Sequence, residues 1–84
     1  MRLDKFLKVS RLIKRRTVAN EACDTSRIMV NGKIAKASYE VKINDEITII
    51  FGTKQITIRV IEIKDTTKKN ESQGMYEVIS EDNS

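Results

Sequence analysis

The sequence predicts an α+β domain, with two short N-terminal helices packed on a small twisted antiparallel sheet. Three observations carry that expectation. Apolar residues recur at helical spacing up to residue 24, and they alternate with period two after residue 26. Asn31-Gly32, Asn44-Asp45 and Gly52-Thr53-Lys54 then break the alternating part at hairpin distances.

The elements follow in order. On a wheel turning about 100° per residue, Leu3, Phe6, Leu7, Val9, Ser10 and Ile13 share one arc, and Lys5, Lys8, Arg11 and Arg15 lie on the other side. Asp4 suits an N-cap or a first-turn position, where the helix dipole favours negative charge. Thr17 offers a second cap, followed by Val18, Ala19, Ala22 and Cys23 at helical spacing. Helices are therefore expected over 4–13 and 17–24, with Lys14, Arg15 and Arg16 at the junction. "RIMVNGKI" reads as a strand running into an Asn-Gly turn, where both residues tolerate positive φ. Residues 46–51 and 55–64 read as a hairpin. In its second strand Ile56, Ile58 and Val60 share one face while Ile61 and Ile63 share the other, so a bulge near Val60–Ile61 is expected to turn both sets inward. Residues 65–74 form a polar connector, "MYEVIS" a last short strand, and "EDNS" should fray. Phe6 and Phe51 are assigned to the core, and Tyr39 to packing against the sheet in preference to stacking on a base.

Composition narrows the function. Eighty-four residues make one domain, too small to shelter a large catalytic cavity. No run of 18 apolar residues exists to span a membrane, and none follows the basic start as a signal peptide requires, so no membrane partner is expected. The chain has no His, the commonest general base, and one Cys, which cannot build a zinc site or an intramolecular disulfide. Its three glycines sit at turns and form no phosphate loop. Cys23 reads as a small buried helix residue and not as a nucleophile. No enzyme activity, cofactor or metal is expected, and the lone thiol fits a reducing cytoplasm.

Charge is the informative feature. The first sixteen residues hold seven cations and one acid. Residues 1–36 carry ten Lys/Arg against three acids, a net +7, and residues 37–84 carry six against nine, a net −3, which together make the chain's +4. Like charges one helical turn apart (Lys5 and Lys8, Lys8 and Arg11, Arg11 and Arg15) repel by about 0.2–0.5 kcal/mol per pair. An external anion relieves that cost. A membrane surface would demand a wider apolar face and aromatic anchors, so phosphate and nucleic acid are the better match. No aromatic residue is interleaved with the basic run after Phe6, which favours folded RNA read by shape and phosphate over stacked single strands. The contrasting reading is an interaction adaptor whose basic face meets an acidic protein.

The order Arg2-Leu3-Asp4-Lys5, Lys14-Arg15-Arg16 and Val30-Asn31-Gly32, with Lys36, Ser38 and Asp45 at fixed intervals after them, resembles the S-four RNA-binding domain family. The likeness is close over residues 2–51 and extends to about residue 64. It implies an RNA-binding domain over 1–64, with 65–84 as connector, short strand and frayed end. It also implies an RNA-binding surface made of Arg2, Lys5, Arg11, Lys14, Arg15, Arg16, Asn31, Lys33, Lys36 and Ser38. Apart from the resemblance, Asp4 is expected to order Lys5 or Arg16 for that contact, although N-capping explains it about as well. The start of the chain, "KASYEVK" and "DTTKK" further resemble the ribosome-quality-control branch of the family, which is similar to the fifteen-kilodalton heat-shock protein. The factor is expected to be monomeric and cytoplasmic, and the resemblance implies its partners. It would bind the rRNA of an obstructed large ribosomal subunit and its peptidyl-tRNA, beside a factor that adds alanine tails to the stalled chain. Two positions depart from the family pattern. Ser26 and Asn44 stand where glycine is usual, and a left-handed backbone at Ser26 would cost roughly 1–2 kcal/mol.

Overall fold

The computed structural model describes residues 1–65 and 72–82. Two helices, α1 (Leu3–Val9) and α2 (Arg16–Asp24), precede five strands: β1 (Ile28–Val30), β2 (Lys33–Ile34), β3 (Glu46–Phe51), β4 (Lys54–Val60) and β5 (Tyr76–Asp82). The strands form one antiparallel sheet in the order β2-β1-β3-β4-β5. The α+β architecture is the one the sequence predicts.

The core lies between the helices and one sheet face. Leu3, Phe6 and Leu7 of α1 and Ala19 and Cys23 of α2 meet Ile28, Val30, Ile47, Ile49, Ile58 and Val60 from the strands. Cross-strand register explains the match: Ile28 faces Ile49, Ile47 faces Ile58, and Ile49 faces Ile56, so the β-branched residues of three strands share one side. Val30 pairs with Lys33 across Asn31-Gly32, whose φ values of 52° and 83° are those of a type I′ turn.

Several expectations need correction. The first helix stops at Val9, four residues before the expected end at 13. Ser10 caps it, and Arg11 takes a left-handed φ of 65°. The sharp turn lets Ile13 drop into the core from a loop, where its N–H donates to the Leu7 carbonyl. Thr17 is not a cap, because α2 begins at Arg16 with Arg15 in the cap position and no side-chain cap bond. β4 ends at Val60 instead of residue 64, and the bulge lies elsewhere. Thr57 pairs with Ser80 and Ile58 with Val78, so the extra residue is Ile79 of β5. Past Val60, the Ile61 and Glu62 N–H groups turn to the Met75 carbonyl of a 3₁₀ turn, Ser72–Met75. Ile61 is consequently exposed, while Ile63 packs on the core from outside the strand. Phe51 is also exposed, since it closes β3 next to the Gly52 turn, beyond the reach of the helices.

The expected connector falls largely on 66–71, outside the described residues. β5 is longer than the short strand expected and includes Glu81 and Asp82 of the "EDNS" segment, whose last two residues are outside the described set. Met75 is fully buried, so the last segment contributes to the core.

Candidate nucleic-acid interface

Leu3 opens α1 because the segment before it is stitched to the 37–41 loop. The Leu3 N–H donates to the Tyr39 carbonyl, the Asp4 N–H to the Ala37 carbonyl, and Arg2 bridges Glu40. This fixes Asp4 on the inner side of the first turn, 3% exposed. Its Oδ1 accepts from Arg2 Nε at 3.3 Å, from Arg16 Nη2 at 3.4 Å and from the Lys5 N–H at 2.8 Å. Its Oδ2 accepts from Arg2 Nη2 at 3.4 Å and from Asn20 Nδ2 at 3.3 Å. Arg16 and Asn20 reach the same carboxylate because they stand four residues apart on α2. Burial alone would raise the Asp4 carboxyl, but the bonds from Asn20, Arg16, Arg2 and the Lys5 N–H outweigh it, and the group is held below its ordinary value. One buried anion thus gathers two guanidiniums whose side chains remain about half exposed, 50% for Arg2 and 48% for Arg16. Each keeps donors free for a second anion.

From this centre a groove runs between the end of α2 and the loop after β2. Arg2, Asn20, Ser26, Lys36 and Ser38 line it. A hollow of about 650 Å³ lies alongside it, bordered by Asn31, Lys33, Lys36 and Ser38. The loop is held by a second buried carboxylate, Asp45. It accepts from Tyr39 Oη at 2.9 Å, from the Lys42 N–H at 2.9 Å and from Asn31 Nδ2 at 3.1 Å. The Tyr39 hydroxyl is raised by that hydrogen bond first, and it stays a neutral donor. Asn44, at φ 77°, makes the turn that presents Asp45, and Ser26, at φ 61°, makes the one that leads α2 into β1.

The structure therefore brings Arg2, Asp4 and Arg16 into direct contact, and puts Arg2, Lys36 and Ser38 along one groove and Asn31, Lys33, Lys36 and Ser38 around one hollow. Asn31 has its side chain engaged at both ends, its Oδ1 accepting from the Glu46 N–H at 3.0 Å. Lys5 leans the other way, with Nζ 3.5 Å from Asp65. Arg11, Lys14 and Arg15 are exposed on the interhelix loop and pair with no acid among the described residues. Asn20 escaped the sequence reading. Its signal was present as the spacing from Arg16, but nothing local says that Asp4 would lie opposite.

Cys23 is buried among these elements. Desolvation, with the charges of Asp4 and Asp24, pushes its thiol up to about 11, so it is protonated at neutral pH. Among the described residues no three His, Cys, Asp or Glu side chains stand close enough to hold a metal ion, and no helix is long and apolar enough to cross a membrane.

The chain is similar to known proteins over nearly its whole length. The S4 domain family matches residues 1–47, which span both helices, β1 and β2. The chain is 60% identical over 82 residues to the RQC P-site tRNA stabilizing factor of Bacillus subtilis, covering 98% of this chain and 95% of that protein. It is 59% identical over 81 residues to the protein of the same name from Streptococcus pneumoniae, covering 96% and 92%. Among solved structures, Heat Shock Protein 15 of Vibrio cholerae, described as trimeric, superposes with a TM-score of 0.88 at 32% identity, over 95% of this chain and 82% of that one. On sequence and fold together, the chain belongs to the S4 domain family, in the branch formed by the RQC P-site tRNA stabilizing factors.

Proposed function

We propose that this protein is a non-enzymatic RNA-binding factor of ribosome quality control, acting on P-site tRNA at an obstructed large ribosomal subunit. The names of its relatives support the setting. The observation that carries the chemistry is the pair of half-exposed guanidiniums, Arg2 and Arg16, held on the buried carboxylate of Asp4. A guanidinium fixed in this way presents a fork to phosphate that a freely rotating lysine cannot match. Lys33, Lys36 and Ser38 extend the contact along the groove, and Arg11, Lys14, Arg15 and Lys5 add exposed charge around it. In this reading the RNA contacts fall within residues 1–64, and β5 with the turn before it supports the sheet behind them. The protein works as a monomer in the cytoplasm, and by steadying tRNA and rRNA it supports a partner factor that adds alanine tails to the stalled chain.

Gradient co-sedimentation of cell lysate tests the proposal. The protein should travel with large ribosomal subunits. Arg16→Ala should abolish that association with the circular dichroism spectrum unchanged, and Arg16→Lys should restore it only in part. Arg59, an equal charge, is paired with Glu77 at 2.6 Å on β4 and β5, away from the groove, and Arg59→Ala should sediment as the wild type does. Equal losses for Arg16→Ala and Arg59→Ala would leave bulk charge as the only determinant. A protein that stays at the top of the gradient would be an adaptor.

A further inference from the structure

Phosphate recognition does not account for the walls of the hollow beside β2. Of its eight lining residues four are apolar or aromatic, namely Val30, Ile34, Ala35 and Tyr39. Ile34 is 57% exposed, more than any other large apolar side chain among the described residues. It lies between Lys33 and Lys36, inside the most basic part of the chain. A surface meeting only phosphate would leave this side chain wet and gain nothing from it. Tyr39 is placed for the same use. Its hydroxyl is bonded to Asp45 Oδ2 at 2.9 Å, and its partly buried ring packs on the core and also lines the hollow. Asp45 also holds Asn31, so one carboxylate ties two of the lining residues together in the free protein. The volume, about 650 Å³, is within the range of sites that take small molecules, not that of a duplex groove.

We propose that this hollow takes one unstacked nucleotide of the bound RNA, its base against Ile34 and Tyr39 and its phosphate on Lys33 and Lys36. A paired base shows only its edges, whereas an extruded base offers a whole apolar face to such a surface. Recognition by charge would then be supplemented by a contact that salt does not screen, and folded RNA with a bulge or a splayed loop would be preferred over uniform duplex. This inference rests on the RNA-binding function proposed above.

Three labelled RNA hairpins provide the test: one with a single bulged adenosine, one with an abasic residue at the bulge, and one fully paired. Dissociation constants are measured against salt for the wild type, Ile34→Ser and Ile34→Phe, alongside thermal melts. The wild type should prefer the bulged adenosine over the other two by roughly tenfold, within the range that base stacking supplies in single-strand sites. Ile34→Ser should lose that preference with the salt slope and the melting curve unchanged, because the residue is exposed and uncharged. Ile34→Phe should keep it. Equal binding of the three hairpins by the wild type, or an equal loss on all three in Ile34→Ser, overturns the nucleotide hollow. Sedimentation with large subunits in the same preparation separates the two proposals. A protein that sediments but shows no preference for the bulge refutes only the hollow, and one that neither sediments nor binds any hairpin refutes the RNA-binding function itself.

Discussion

Asp4 ties together two of the cations at the basic end of this protein. Without it Arg2 and Arg16 would be two of seven cations free to swing in solvent; with it they share one anchor, so less side-chain freedom is lost on meeting phosphate. The prediction runs against bulk electrostatics. Asp4→Asn raises the net charge by one, which taken alone should tighten RNA binding. Loss of the anchor should instead weaken it about tenfold, the size of one charge-assisted hydrogen bond, as read by a titration of ribosomal RNA at fixed salt. Acid unfolding gives an independent check. The Asp4 carboxyl is held below its ordinary value of about 3.9, so its contribution to stability is complete above that pH and disappears as the pH falls through the lowered folded value. Melting temperature should therefore drop more steeply with acid in the wild type than in Asp4→Asn, over that window.

The turns set the positions of the helices and strands, and two of them are strained. Arg11 and Ser26 both hold left-handed backbone that glycine adopts without cost. For Ser26→Gly, relief of roughly 1–2 kcal/mol is offset by about 0.5–1 kcal/mol of extra chain entropy. A net gain of about 0.5–1 kcal/mol is expected in urea denaturation. A loss of stability would mean that the turn depends on the serine hydroxyl. Asn31-Gly32 and Asn44 need no such relief, since asparagine tolerates positive φ. The position of Ser26 at a left-handed turn was legible from the family pattern. Arg11 was not, because nothing local marks it; the chain reverses there so that Ile13 can enter the core.

Across the whole molecule, stability and charge are carried by different residues. The core joins α1, α2 and three strands around Leu3, Phe6, Leu7, Ile47, Ile49 and Ile58, all essentially inaccessible to solvent, while Lys14 and its neighbours lie outside it. Leu7→Ala should cost about 2–5 kcal/mol, a large share of what a domain of this size commands. Lys14→Ala should leave the melting curve unchanged or raise it slightly by relieving repulsion. Paired melts of the two variants check this, and a Lys14→Ala protein that unfolds would make the basic loop structural.

Periodicity, turn chemistry and charge are local properties, and the sequence alone was enough for what depends on them. Helices before strands, a tight turn at Asn31-Gly32, a hairpin closing near Gly52 and a strongly basic N-terminal end were all readable there. What required the folded chain was everything that depends on distant residues meeting. The first helix ends at Val9 because Ile13 is worth more in the core than on a longer helix, and Phe51 is exposed because the helices do not extend over the end of β3. The bulge sits at Ile79 because β5, and not β3, absorbs the mismatch in register. Above all, Asp4 meets Arg16 and Asn20 from 12 and 16 residues away only once α1 and α2 have packed. A string of charges can say that one end of a chain is basic, but which guanidiniums stand together is set only when a buried carboxylate gathers them.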